Sequence, residues 1–346
     1  MSGTGTQTRQ PGAEGATAPS PAQFFQAAHG LYQSYALKAA VDLDVFTAIA
    51  AGAETVAAIA ERCQASARGI RVLCDYLALL GFITKNGERY AATPDTAFFL
   101  SRRSPAYVGG ALNFLMSGEH IDAMRDLGET VRKGTRDGQA LEPNRALWVT
   151  FARSMAPLMV MPSRMMAERL GVHAAGPLHV LDIAAGHGLF GLAVASANPK
   201  AEITAVDWAP VLEVAKQNAA GAGASDRYRT IAGSALTVDL GTGYDLVLLP
   251  NFLHHFDEAG CVTILKRMHV ALKNGGRVAV LEFVPDESRQ GPPMAVAFSL
   301  TMLANTPGGD AYRFSDLRRM LETAGFRQAQ HEPLMPGMSE LVTAVK

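Results

Sequence analysis

Acids and a histidine stand where apolar runs end, and their spacing limits the chemistry open to this chain. Val180-Leu-Asp-Ile-Ala-Ala-Gly-His-Gly188 carries Asp182 at the close of one such run, just before a loop punctuated by Gly186 and Gly188. Asp207 closes a second run 25 residues later. A third, Asp245-Leu-Val-Leu-Leu-Pro-Asn251, ends in polar residues and leads into Phe252-Leu-His-His-Phe-Asp257. A histidine at a strand end has an ordinary pKa near 6.5, so it can take a proton from a phenol near neutral pH. His254, His255 and Asp257 include metal-ligand types, but adjacent histidines point in different directions and no third ligand is spaced for one, so no metal is expected.

Charge decides what the glycine loop holds. A dinucleotide fold presents Gly-x-Gly-x-x-Gly so that the backbone can approach a pyrophosphate. Gly186, Gly188 and Gly191 fit that spacing loosely, and such a match alone is weak. A carboxylate at Asp182 repels a pyrophosphate but can meet an ammonium or loop amides. Asp207 can accept from both hydroxyls of a ribose. The implied ligand is a nucleoside with a positively charged tail, and S-adenosylmethionine fits, with S-adenosylhomocysteine as its product. Each acid has a plainer alternative, Asp182 as a helix or loop cap and Asp207 as a surface turn. Both being plain at this spacing is the weaker combination.

Those residues need a scaffold, and from Leu178 onward the pattern supplies one. Strands are expected at 178–183, 201–206, 227–232, 244–250 and 277–283, with helices over 188–197, 209–219 and 258–273 between them. That alternation argues a mostly parallel sheet covered by helices on both faces. A helix near 314–324 precedes two further strands, 326–333 and 339–345. The N-terminal part is different. Helices are expected over Phe24 to Ala51, with Thr55 capping Val56 to Cys63 and Ser66 capping the next. Asn86-Gly87 marks a hairpin. Helix, turn, helix, hairpin is a winged helix. The expected organisation is a disordered tail at 1–20, a winged helix at 21–103, linking helices at 104–175 and a ligand-binding α/β domain at 176–346.

Composition excludes several classes. The 346 residues are 48% hydrophobic and 18% charged, and Lys+Arg 31 against Asp+Glu 32 gives a net charge of -1. No basic field invites nucleic acid, and no run approaches the roughly 20 apolar residues of a membrane span. The N-terminus has no signal-peptide pattern, and three cysteines (Cys63, Cys74, Cys261) without metal spacing suit a reducing cytoplasm.

Residues 24 to 346 resemble the class I methyltransferases, and within them the plant-type and bacterial small-molecule O-methyltransferases with an N-terminal winged-helix dimerisation domain. The resemblance implies a Rossmann-like catalytic domain with a seven-stranded, mostly parallel sheet, and a homodimer. Ala184 stands where the family's glycine motif has its first glycine. Asp207-Trp208 opens a stretch similar to the family's ribose-binding motif. Gly233-Ser234-Ala235 stands at the adenine segment, where the family often has Gly-Asp, and Asn251 joins this cofactor set. His254 falls on the family's catalytic base, and His255, which falls on an aspartate, is expected among the residues that bind the acceptor. The family flanks its base with two carboxylates. Glu282 matches the first. The second glutamate is missing from Gly308-Gly-Asp-Ala-Tyr-Arg313, with Asp310 one step away.

Trp148, Phe151, Met155 and Met159 on one helix, and Phe298, Met302 and Leu303 on another, are candidates for the acceptor wall. Taken singly, each is more readily explained as core. Phe24 and Phe25 can cross a dimer or simply lie in its interface. Two readings compete with oxygen methylation of a small aromatic or secondary-metabolite acceptor. One is carbon or nitrogen methylation by proximity. The other is a ligand-sensing winged-helix regulator, disfavoured because its recognition helix offers only Arg68 and Arg71 beside an apolar face.

Overall fold

The computed structural model describes residues 19–136 and 146–346. The expected disordered tail lies outside them except for its last two residues, as does most of the polar break expected near 133–143. The described chain divides into two compact units, one ending at Ala97 and one running from Phe98 to Lys346.

The first unit is mainly helical. Helix Ala22–Asp42 ends where Asp44 turns left-handed (φ 59°), and Val45–Ala50 continues from there. Thr55 accepts from the Ala58 amide at 3.3 Å to start Val56–Arg62, and Ser66 accepts from Gly69 at 3.1 Å to start Ala67–Leu79. Both hydroxyls satisfy amides that a helix start leaves unpaired. Strands β1 (Ile83–Asn86) and β2 (Arg89–Ala92) pair antiparallel around Gly87, whose positive φ suits the turn. The winged-helix order is therefore present.

The second unit is built on a seven-stranded sheet. Its strands are β3 (Leu178–Ile183), β4 (Ala201–Asp207), β5 (Tyr228–Ala232), β6 (Tyr244–Pro250), β7 (Leu272–Glu282), β8 (Arg327–Met335) and β9 (Ser339–Val345). They lie in the order β5-β4-β3-β6-β7-β9-β8, parallel from β5 through β7 and antiparallel at β9 and β8. Alternation buries both faces: Leu181, Ile183, Val247 and Leu249 enter one core, while Val180, Leu246 and Leu248 enter the other. The chain winds outward from β3 to β5, then returns to β6 on the other side of β3. That reversal leaves a crevice at the carboxyl ends of β3 and β6, where open α/β sheets bind ligands. Strand β7 begins at Leu272, five residues before its expected start, because Leu272 pairs with Tyr244 across a register shift.

Candidate active site

The acids and the histidine gather at one edge of the sheet because β3, β4, β6 and β7 are parallel. Asp182 ends β3 fully buried. Its Oδ2 accepts from the Gly191 amide at 2.9 Å, so the side chain fastens the strand to the first turn of helix Leu189–Ala197, while Oδ1 has no partner among the described residues. Burial, opposed by that amide bond, pushes its carboxyl up to about 7. Asp182 thus occupies the capping position that the sequence left open as an alternative.

Asp207 is placed differently. Its Oδ2 accepts from the Gly186 amide at 2.8 Å and its Oδ1 from the Trp208 amide at 2.7 Å. Each oxygen keeps a second lone pair, so the carboxylate can still accept two donors. Burial raises it to about 6 against those two amide bonds. A buried acid of this kind is relieved by donors, and a ribose diol supplies two.

The loop between these acids is shaped for backbone approach. Gly186 (φ 57°) and Gly188 (φ 77°) are left-handed, and a Cβ on Gly188 would lie 2.6 Å from the Tyr228 hydroxyl and 3.0 Å from Ala215. Ala184 is left-handed too (φ 52°), a conformation that costs a non-glycine residue about 1–2 kcal/mol. His187, which the sequence reading passed over, accepts from the Leu189 amide through Nδ1 at 3.1 Å and is lowered to about 4 by burial. Asn218 holds the His187 carbonyl at 2.8 Å. Tyr228 was missed as well. Its buried hydroxyl has no partner among the described residues and is pushed well above its usual range, first by burial and then by Asp182 and Asp207. A histidine accepting from the amide two residues ahead and an aromatic at a strand start carry no local sequence signal.

Of the remaining cofactor candidates, Gly233 donates to the Asp207 carbonyl at 2.9 Å, which ties the segment after β5 to the ribose acid. The Ser234 hydroxyl is taken by its own turn, accepting from Leu236 at 3.2 Å. Ala235 is buried in the core, Trp208 packs against Val211 and Val214, and Asn251 is left-handed at the end of β6. Loop glycines bare of Cβ and a diol-sized acceptor in Asp207 fit S-adenosylmethionine.

One strand away stands the histidine. His254 lies in the turn Leu253–His255 after β6 and is buried. Its Nδ1 is 2.6 Å from Glu282 Oε2, while Glu282 Oε1 accepts from the Phe252 and His254 amides at 3.0 and 3.3 Å. A carboxylate only accepts, so Nδ1 carries the hydrogen and Nε2 is left with its lone pair. The turn itself is held from behind. A Cβ on Gly309 would lie 2.1 Å from the His254 carbonyl, so only glycine lets the 308–309 segment pass. Asp310, expected as the second flanking carboxylate, is bonded elsewhere: it accepts from Arg289 at 3.1 Å and from the Ala311 amide at 2.8 Å.

Rings line this corner. His254 meets Phe298 edge to face at 4.8 Å, and Phe298 stacks on Phe283 at 4.1 Å. His255 lies 4.4 Å from His254 and 5.7 Å from Trp148. Phe151, on the same helix as Trp148, approaches the site of a Gly186 Cβ at 3.8 Å, so this helix borders both the loop and the histidine turn. Met159 approaches Asn251 through its sulfur at 4.0 Å, Met155 is half-buried with Leu303, and Met302 is core.

Comparison with known proteins agrees with this geometry. Residues 162–327 match the model of the O-methyltransferase domain, and residues 25–102 that of the O-methyltransferase dimerisation domain. A protein of Nostoc punctiforme PCC 73102 assigned to the O-methyltransferases shares 49% identity, with a TM-score of 0.91 over 95% of this chain and 100% of that one. The 3-hydroxy-5-methyl-1-naphthoate 3-O-methyltransferase of Streptomyces sahachiroi is 27% identical over 92% of this chain and 93% of its own. Human N-acetylserotonin methyltransferase, solved in complex with S-adenosylmethionine, shares the fold at a TM-score of 0.81 with 24% identity, over 96% of this chain and 99% of that one. With a matched dimerisation domain, a matched catalytic domain and a near-full-length relative at 49% identity, the chain belongs to the S-adenosylmethionine-dependent O-methyltransferases.

Proposed function

We propose that this enzyme methylates a hydroxyl of a small aromatic acceptor, with His254 as general base. The observation that carries the reading is the 2.6 Å bond from His254 Nδ1 to Glu282, which leaves Nε2 as an acceptor beside the loop that Asp207 anchors. Asp207 would hold the ribose, and the amides and bare backbone of Gly186 and Gly188 would border the rest of the cofactor. When bound, S-adenosylmethionine supplies an electrophilic methyl group. The chain's own work is then to hold the acceptor hydroxyl in line, keep water out and take one proton at His254 Nε2. Glu282 fixes the imidazole's tautomer and balances the charge it gains. Positioning accounts for much of the barrier reduction, and a general base adds typically ~10²–10⁴-fold. The aromatic rings around His254 and the naphthoate hydroxyl named for the Streptomyces relative support a flat phenolic acceptor. The dimerisation-domain match and the exposed Phe24 and Phe25 support a homodimer.

The test is His254→Gln. Cofactor affinity by calorimetry should be unchanged, while turnover of a phenol that the wild type methylates falls by about 10²–10⁴-fold. A loss of less than threefold would remove the base, and carbon or nitrogen methylation, or an acceptor that arrives already deprotonated, would move ahead.

A further inference from the structure

Two buried nitrogens beside the proposed base have nothing to bond. Trp148 Nε1 and His255 Nδ1 are both out of solvent and without a hydrogen-bond partner among the described residues. Their rings meet edge to face at 5.7 Å, and the His255 ring is 4.4 Å from that of His254. Orphaned polar atoms are rare in folded proteins, because each forfeits the hydrogen bonds it made to water. Two together, on rings that meet at 5.7 Å with one of them next to the base, are better explained by a ligand that completes them than by a packing fault. Tryptophan's indole N–H only donates. Whatever completes it must therefore be an atom with a lone pair. His255 is held neutral, well below its ordinary pKa, first by burial and then by His254, so it offers no counter-charge to an anion.

We infer that the acceptor carries a second, uncharged oxygen next to the hydroxyl that is methylated, and that Trp148 and His255 recognise it. This inference rests on the phenolic reading of the site. A ketone oxygen would take an N–H from both rings. A hydroxyl would take the indole N–H and give its own hydrogen to His255. Either makes the site a reader of oxygen-bearing groups at adjacent ring positions, a narrower class than phenols at large. The reading has a physical basis: a pocket built to hydrogen-bond a substrate group rejects the analogue lacking it, since its own polar atoms are then left unpaired.

Three probes on one ring system separate the outcomes: 2-naphthol, 2,3-dihydroxynaphthalene and 1-acetyl-2-naphthol. The wild type should prefer at least one of the two oxygenated probes over 2-naphthol by about tenfold or more in kcat/KM. Preference for the ketone assigns a carbonyl, and preference for the diol a hydroxyl. Trp148→Phe keeps a ring and removes the N–H, and it should shrink that preference about tenfold. His255→Phe should shrink it too, so the test stands if one variant fails to fold. A ratio that moves is a readout that a merely structural role for the rings would leave alone. Equal rates on all three probes, or a ratio that neither variant alters, overturns the inference while leaving the proposed base in place. If the wild type binds S-adenosylmethionine and methylates none of the three, the phenolic reading falls, and this inference with it.

Discussion

The two units break the ordinary rule of burial in opposite ways. In the first, the helix Ala22–Asp42 exposes large apolar side chains: Phe24 at 70%, Leu31 at 59% and Tyr32 at 62%, with Phe25 and Tyr35 also exposed. In the second, the sheet edge buries Asp182, His187, His254 and Glu282. Scattered exposed leucines are unremarkable, but an exposed apolar stripe and a buried polar cluster each call for an explanation. Each is a surface that another molecule completes. Apolar area suits a macromolecule, which gains from non-directional burial. Directed polar groups suit a small molecule whose few atoms must be placed.

If that contrast is right, the largest effect comes from charging the stripe. Leu31→Asp with Tyr35→Asp should weaken self-association roughly a thousandfold, taking about 2 kcal/mol for each buried anchor lost. Light scattering should then show monomers where the wild type shows dimers, with S-adenosylmethionine affinity retained. A wild type already monomeric at micromolar concentration would remove the partner from the account.

A smaller effect is expected from the second unit. Gly309→Ala puts a methyl where the His254 carbonyl lies, so the turn must shift. Misplacing a catalytic group by about 1 Å can cost ~10²-fold, and kcat should fall by that order while the dimer persists. Wild-type kcat would mean that the turn tolerates movement and that the Glu282 bond alone sets His254.

How much of this could be read beforehand follows from which interactions are local. The strands β3, β4 and β6 are legible because an apolar run is a property of consecutive residues, and Thr55 and Ser66 because a cap bonds three residues ahead. The start of β7 was not. A helix is expected to 273 and a strand only from 277, yet the distant Tyr244 pairs with Leu272, and the Lys346 amide donates to the Gly276 carbonyl at 2.9 Å. The candidate site divides the same way. Asp207 and His254 announce themselves by standing at strand ends. The partner of Asp310 does not, because Arg289 reaches it from another loop. Nor do the unpaired nitrogens of Trp148 and His255, 107 residues apart, since satisfaction of a buried atom is decided by what packs around it.

Next in size are the effects on the acid proposed to hold the ribose. Asp207→Asn removes one anionic acceptor, and bonds to charged groups contribute roughly 1.5–3 kcal/mol, so S-adenosylmethionine should bind about tenfold or more weakly. The wild type should show the same loss with acid. Its carboxyl, raised to about 6 in the free protein, accepts ribose hydroxyls best when ionised. Binding then favours the ionised form and expels a proton at lower pH. Affinity should fall as pH drops below about 6 and level off above about 7, with calorimetry in buffers of different ionisation enthalpy reporting proton release near pH 6. The asparagine variant should have lost this pH dependence. If it keeps the wild-type profile, another group carries the titration.

The smallest effect returns to the comparison through backbone strain, since each unit holds left-handed non-glycine residues, Asp44 and Ala184 among them. Asp44 (φ 59°) ends a helix in the first, and Ala184 (φ 52°) opens the cofactor loop in the second. Aspartate tolerates this conformation because its short polar side chain can bond locally, and alanine has no such compensation. Ala184→Gly should relieve about 1–2 kcal/mol of strain. Against it stands about 0.4–1 kcal/mol of added freedom in the unfolded chain. The net is a stabilisation of roughly 0.5–1 kcal/mol by that difference, or a few degrees in the melting temperature of the second unit. Asp44→Gly has little strain to relieve and the same entropy to lose, so it should be neutral or slightly destabilising. Strain concentrates where a backbone must meet a ligand. Equal gains from the two glycines would show that the loop at Ala184 is no more strained than an ordinary helix end, and that the second unit holds its cofactor loop without stored cost.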